Sequence, residues 1–209
     1  MKRKLIAALA ATLAIGGLAL PSQGATIIEE WANVKAPPPP ALKPVTVDPK
    51  TTALLMLDFM KQNCGQRPRC VASVPAMKKL LDETRAAKAT VIYSFFGKTT
   101  AIDIVDPGLA PAAGEVSVTS FADKFLNTDL DKILKDKGIA TVIVVGTASN
   151  GAVLYTGSGA ALRGYNVIVP VDGVTSAETY PEQFGIWQLA NGPTFSQKVT
   201  ITKSDMIKF

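Results

Sequence analysis

Asp58 closes the run Ala53-Leu54-Leu55-Met56-Leu57, and a carboxylate at the end of an unbroken apolar strand is costly to desolvate. An acid or base role accounts for that cost better than a carboxylate that only accepts hydrogen bonds from a loop. The segment Gly146-Thr147-Ala148-Ser149-Asn150-Gly151-Ala152 stands in the same relation to the apolar run before it. It leads into a predicted helix, whose first N–H groups and dipole stabilise an anion or a developing oxyanion. Ser149, Asn150, Gly151 and Ala152 are therefore the expected substrate-binding residues, although Ser149 and Asn150 are also ordinary cap residues with no His to activate a hydroxyl. Asp172, before Gly173, has a similar place and is read as an acceptor for a backbone amide at the sheet edge. Cys64 and Cys70 enclose Gly65, Arg67, Pro68 and Arg69, a turn-forming loop that suits a disulfide. With two arginines nearby, Cys64 as a reactive thiolate is the alternative.

The chain contains no His, which excludes Ser-His-Asp and Cys-His nucleophile systems, the two-His metalloprotease helix and imidazole zinc sites. Two cysteines cannot complete a four-thiolate centre, so neither a metal nor a cofactor is expected. Gly157, Gly159 and Gly164 do not open a helix from a strand and so do not form a dinucleotide fingerprint. Tyr180, Phe184 and Trp187 share one helical face and are read as core or subunit interface.

From Thr52 onward, short aliphatic runs alternate with amphipathic stretches, the pattern of βαβ units around a buried parallel sheet. Strands are predicted over residues 53–57, 90–95, 115–120, 141–145, 167–171 and 198–202. Helices are predicted over 72–88, over 129–137 between Thr128 and Gly138, from Ser149 to Gly164, and over 178–190, with a long loop over 97–114. The expected fold is α/β, a three-layer α/β/α Rossmann-like sandwich with a mainly parallel sheet of about six strands and right-handed crossovers.

Four blocks, residues 54–59, 125–134, 143–154 and 161–167, occur in an order that resembles the isochorismatase-like (cysteine hydrolase) superfamily over about residues 51–203. The resemblance implies a Rossmann-like sheet and, in most members, an Asp-Lys-Cys triad that hydrolyses amides. Asp58 matches the family aspartate. The family lysine falls on Thr119 and the family cysteine on Ala152, so two triad members are replaced. True isochorismatases are similar in lacking the cysteine, and they cleave a vinyl ether by protonation from the aspartate. Lys124, within Asp123-Lys124-Phe125, and Lys98, beyond the second strand, are the lysines able to supply an ammonium from another backbone position. Lys124 is taken as the catalytic partner of Asp58, although for either lysine alone an exposed side chain, or one paired with Asp123, is the plainer reading. The expected activity is hydrolysis of a small molecule with Asp58 as acid or base and no cysteine nucleophile. A catalytically inactive ligand- or protein-binding module is the alternative, and family members are commonly homo-oligomers.

The chain's 209 residues, 47% of them hydrophobic and 19% charged, suit one globular domain. Lys2, Arg3 and Lys4 precede an apolar run over residues 5–20 and then Pro21-Ser22-Gln23-Gly24-Ala25, the three parts of a secretory signal peptide in order. Residues 1–24 are therefore expected to be removed, with a periplasmic or secreted product and no membrane attachment afterwards. Without the three leading basic residues the formal charge falls from +5 to +2, too weak a field to draw nucleic acid. Residues 25–50, with Pro37 to Pro40 and prolines at 44 and 49, read as an extended polyproline arm, and residues 51–209 as the hydrolase domain.

Overall fold

A computed structural model describes residues 24–209, which belong to two units that divide between Pro38 and Pro39. The signal peptide expected over residues 1–24 lies outside the described residues, Gly24 excepted. In the first unit Ile27–Glu30 form a short helix (α1), followed by a tight turn over Trp31–Asn33. The prolines led to an expectation of extended chain throughout this arm. The helix forms because the Glu29 carboxylate accepts hydrogen bonds from the Thr26 N–H and Oγ1, and that capping falls before the first proline.

In the second unit Val45–Thr46 (β1) is followed by Thr52–Leu57 (β2), Pro68–Ala86 (α2), Thr90–Phe95 (β3), Val116–Thr119 (β4) and Leu130–Asp136 (α3). Then come Thr141–Thr147 (β5), Leu154–Leu162 (α4), Asn166–Pro170 (β6), Val174–Thr175 (β7), Thr179–Asn191 (α5), Val199–Thr202 (β8) and Ile207–Lys208 (β9). The main sheet runs β4-β3-β2-β5-β6-β8, with β7 paired to β5, and its strands are parallel throughout. Strand order reverses between β2 and β5. Those two strands stay in register from Thr52↔Thr141 to Leu57↔Gly146, so Asp58 and the segment after Thr147 emerge together at the switch point.

Alternation along β2 divides the core. Ala53, Leu55 and Leu57 pack with Leu130, Leu134, Val153, Leu154, Ala160 and Leu189 of α3, α4, α5 and the turn before α4. Leu54 and Met56 pack with Met77, Leu80 and Leu81 of α2 on the other face. Helix α2 starts at Pro68, four residues before its expected start at 72. Proline is preorganised for the first helical turn and loses nothing there by lacking an N–H. The stretch from Ser149 begins as a π-type turn over Ser149–Val153, with non-helical Gly151 inside, before α4 proper. β1 pairs with β9 in a separate two-stranded sheet, and with β7 these strands were missed because two residues carry no readable period.

Candidate functional site

Asp58 is 3% exposed and has a left-handed backbone, φ 58°, which turns the chain sharply off the end of β2. Its Oδ1 accepts from Ser94 Oγ at 2.8 Å, and its Oδ2 accepts from Lys124 Nζ at 2.8 Å. Lys124 has no side-chain exposure, and its ammonium also donates to the carbonyls of Phe121 at 2.6 Å and Ser120 at 3.2 Å. Every donor of the ammonium is therefore engaged beneath the carboxylate.

The lysine is held by its backbone. Thr128 Oγ1 donates to the Lys124 carbonyl at 2.5 Å, and the Lys124 N–H donates to Thr156 Oγ1 of α4 at 3.1 Å. Asp123 does not pair with Lys124, since its Oδ1 caps the Phe125 N–H at 2.9 Å. The plainer sequence reading of Lys124, exposed or bound to Asp123, is thus corrected. Phe125 is buried beside it and anchors the loop in the core. Thr119 and Lys98 are both exposed, and the ammonium beside Asp58 is that of Lys124. Sequence reasoning missed Ser94. Its one signal was a polar residue inside the apolar strand Thr90–Phe95, in register with Leu57 next to Asp58.

Burial pushes the Asp58 carboxyl above the usual carboxylate value, and the Lys124 charge and hydrogen bond, the Ser94 hydrogen bond and the charge of Arg67 pull against it without cancelling it. The result is a carboxyl that keeps its proton to higher pH than an exposed one, with a cation in place to stabilise the anion when the proton leaves.

The segment after β5 forms the other side of the site. Gly146 has φ 140°, and a Cβ there would stand 2.0 Å from the Leu57 carbonyl oxygen, so only glycine lets β5 end against β2 in this way. Ser149 N–H donates to Ser176 Oγ at 3.0 Å, Ser176 Oγ donates to Asn150 Oδ1 at 3.3 Å, and Ser149 Oγ donates to the Glu182 carbonyl at 3.3 Å. The two polar residues thus fasten the turn to neighbouring elements. Ala152 is buried and carries no reactive group.

Cys64 and Cys70 are joined by a disulfide, which leaves no free thiol in either position and removes the reactive Cys64 alternative. The loop they close carries Arg67, whose Nη1 donates to Thr147 Oγ1 at 2.7 Å, and Arg69, which grips Glu182 with two hydrogen bonds of 2.8 and 2.5 Å. Glu182 Oε1 also accepts the Ser176 N–H at 2.8 Å, so the disulfide loop, β5 and α5 are locked around the turn over Ser149–Val153. Asp172 accepts from Ser204 N–H at 2.9 Å and Ser204 Oγ at 2.6 Å. Tyr180, Phe184 and Trp187 are 65%, 41% and 38% exposed, so they are not core residues. Among the described residues no cluster of His, Cys, Asp and Glu is arranged to hold a metal.

Residues 52–202 match the family model described as the isochorismatase domain. The chain is 31% identical over 113 residues to a protein of Verticillium dahliae named "Secreted isochorismatase effector Isc1", a match that covers 49% of this chain and 60% of that one. Among solved structures, an isochorismatase-like hydrolase from Alkaliphilus metalliredigens is similar with a TM-score of 0.66 at 24% identity, covering 74% of this chain and 95% of that one. A cysteine hydrolase from Pseudomonas syringae pv. phaseolicola is similar with a TM-score of 0.67 at 23% identity, covering 79% and 94%. At these identities the two solved structures speak for the shared fold.

Proposed function

This chain belongs to the isochorismatase family, and on that premise we propose that it is an exported hydrolase of a small molecule in which Asp58 moves a proton and no cysteine acts as nucleophile. The observation that carries the proposal is the buried Asp58–Lys124 pair at the switch point, at the end of a strand whose neighbour β5 runs on into the turn that carries Ala152. Hydrolysis of a vinyl ether suits this arrangement. Protonated Asp58 gives its proton to the terminal carbon of the C=C bond, and the ether oxygen stabilises the cation that forms. Water adds to the carbon bearing that oxygen and returns a proton to Asp58. The hemiketal then separates into an alcohol and a carbonyl compound, with one water consumed. Lys124, named from sequence as catalytic, is proposed to act through Asp58 as a positioning group, since its ammonium is buried beneath the carboxylate and steadies the anion between the two transfers. Asn150, Gly151 and Ala152 would line the substrate side, whereas Ser149, named from sequence with them, is buried with its N–H and Oγ committed to Ser176 and Glu182 and would hold the turn. Export is supported by the N-terminal motif, by the disulfide and by the word "Secreted" in the name of the Verticillium relative.

The replacement of two family residues by Thr119 and Ala152 favours a second reading, a binding module that has lost the reaction. One assay separates them, in which mature protein is offered a panel of small vinyl ethers, amides and esters. Turnover of a vinyl ether, reduced about 10³-fold in Asp58→Asn with the far-ultraviolet circular dichroism unchanged, supports the hydrolase. Wild-type protein inert over the whole panel supports the binding module, and full activity in Asp58→Asn would remove Asp58 from the chemistry.

A further inference from the structure

The helices of the second unit differ in what they show to water. α2 and α3 carry charges on their outer faces, paired one turn apart as Lys78–Asp82, Lys79–Glu83, Lys135–Asp131 and Lys132–Asp136. α4 has no charged residue between Leu154 and Leu162. α5 has one, Glu182, and Arg69 and the Ser176 N–H already occupy its carboxylate.

Large apolar groups stand where the charges are missing. On α4 Tyr155 and Leu162, two turns apart, are 54% and 64% exposed. On α5 Tyr180, Phe184 and Trp187 form a second exposed ridge. The two helices touch, for a Cβ on Gly157 would stand 3.1 Å from Leu189 Cδ2. Leu154, Ala160, Ala161 and Leu189 turn inward to the same core, so both ridges look outward from one layer.

We propose that this α4–α5 face is the docking surface for a second copy of the chain, in a two-fold contact. The proposal goes beyond the reading of Asp58 and does not depend on it. Across a two-fold axis a surface meets itself, so a charge near the axis meets its own like. A face without charges escapes that repulsion, and it offers nothing to a strongly charged partner. Aromatic enrichment with charge depletion is also the composition of an interface core. A membrane surface fits less well, because helices that lie on lipid carry Lys and Arg along their polar border and α4 and α5 carry neither. The area is of the right order. The four rings leave about 400 Å² in water, and a two-fold contact counts that twice, about 800 Å² before Leu162 and a polar rim are added. Stable interfaces start at about 1,200 Å² in total. Ile102 is exposed too, but it lies beside Asp103 and its carbonyl accepts from the Lys61 ammonium, so it serves as a control outside the face.

Sedimentation velocity of the mature protein over a range of concentrations tests the contact. Wild type should be dimeric at about 10 μM, within the affinity range of interfaces of this size. Tyr155→Glu and Tyr180→Glu, each at a side chain more than half exposed in one copy, should raise the dissociation constant at least about 100-fold by setting like charges together. Ile102→Glu should leave it unchanged. Iodide quenching of Trp187 in Trp31→Phe leaves the face intact and decides the matter if the glutamate variants fail to fold. Quenching should drop by about half or more as the protein is concentrated through the dimer range. The proposal is overturned by wild type that stays monomeric at about 100 μM, or by dimers equally tight in both tyrosine variants. Equal weakening by Ile102→Glu, or quenching that ignores concentration, would overturn it as well. Monomeric wild type that co-sediments with phosphatidylcholine vesicles would assign the face to a membrane surface instead.

Discussion

At Asp58 a left-handed backbone, a buried carboxyl and a buried ammonium coincide. Each of these costs stability by itself, the backbone alone about 1–2 kcal/mol for an L side chain. The pair makes the two charges less costly together than either is alone. Lys124→Met should therefore destabilise the protein by about 3–5 kcal/mol at pH 7, because it strands an ionised carboxylate in the core. The sign with pH follows from the raised Asp58 value. A carboxyl with a folded pKa above its unfolded one stabilises the fold below the unfolded value and loses that contribution as pH rises through the folded value. Without Lys124 the folded value climbs further. Urea titrations from pH 5 to pH 8 should thus show a deficit in Lys124→Met that grows with pH, and a deficit independent of pH would contradict the buried pair. The aspartate was legible in sequence because it ended an apolar strand. Lys124 was only half legible, since its burial depends on Thr128, Thr156 and two loop carbonyls that no local pattern announces.

Strand ends, rather than whole strands, decide the geometry of the site. β2 and β5 can finish side by side because Gly146 presents no Cβ to the Leu57 carbonyl. Gly146→Ala should cost about 4 kcal/mol or more, since positive φ and a backbone clash act together, and soluble yield with urea unfolding would measure it. A variant as stable as wild type would mean that the ends of β2 and β5 are not so closely apposed. The long apolar strands and α2 were readable from period and punctuation, with boundaries moving by one to four residues where Pro68 or a cap set the true end. The π-type turn over Ser149–Val153 was not readable, because its shape comes from tertiary ties to Ser176 and Glu182.

Across the molecule, the second unit is closed by its own C-terminus. β9 pairs with β1, the Val47 N–H donates to the Lys208 carbonyl at 2.8 Å, and Ile207 and Val47 are buried in the α2-side core. Removing residues 207–209 should cost about 2–4 kcal/mol, the burial of one large aliphatic side chain plus its neighbours, and should abolish amide-exchange protection at Val47. Retained protection there would show that β1 is held by something else. Fold class was legible from alternation of period over the whole chain, whereas this closure joins residues more than 150 positions apart and leaves no mark in either short strand. The proton affinity of Asp58 joins all three scales, since residue, strand end and enclosing core together set it. Carbon-detected NMR titration of the Asp58 carboxyl, identified by loss of its signal in Asp58→Asn, measures it directly. The midpoint should lie above the ordinary 3.8 in wild type and rise further in Lys124→Met. A midpoint at or below 3.8, or one that ignores the loss of Lys124, would contradict a buried acid restrained by its lysine.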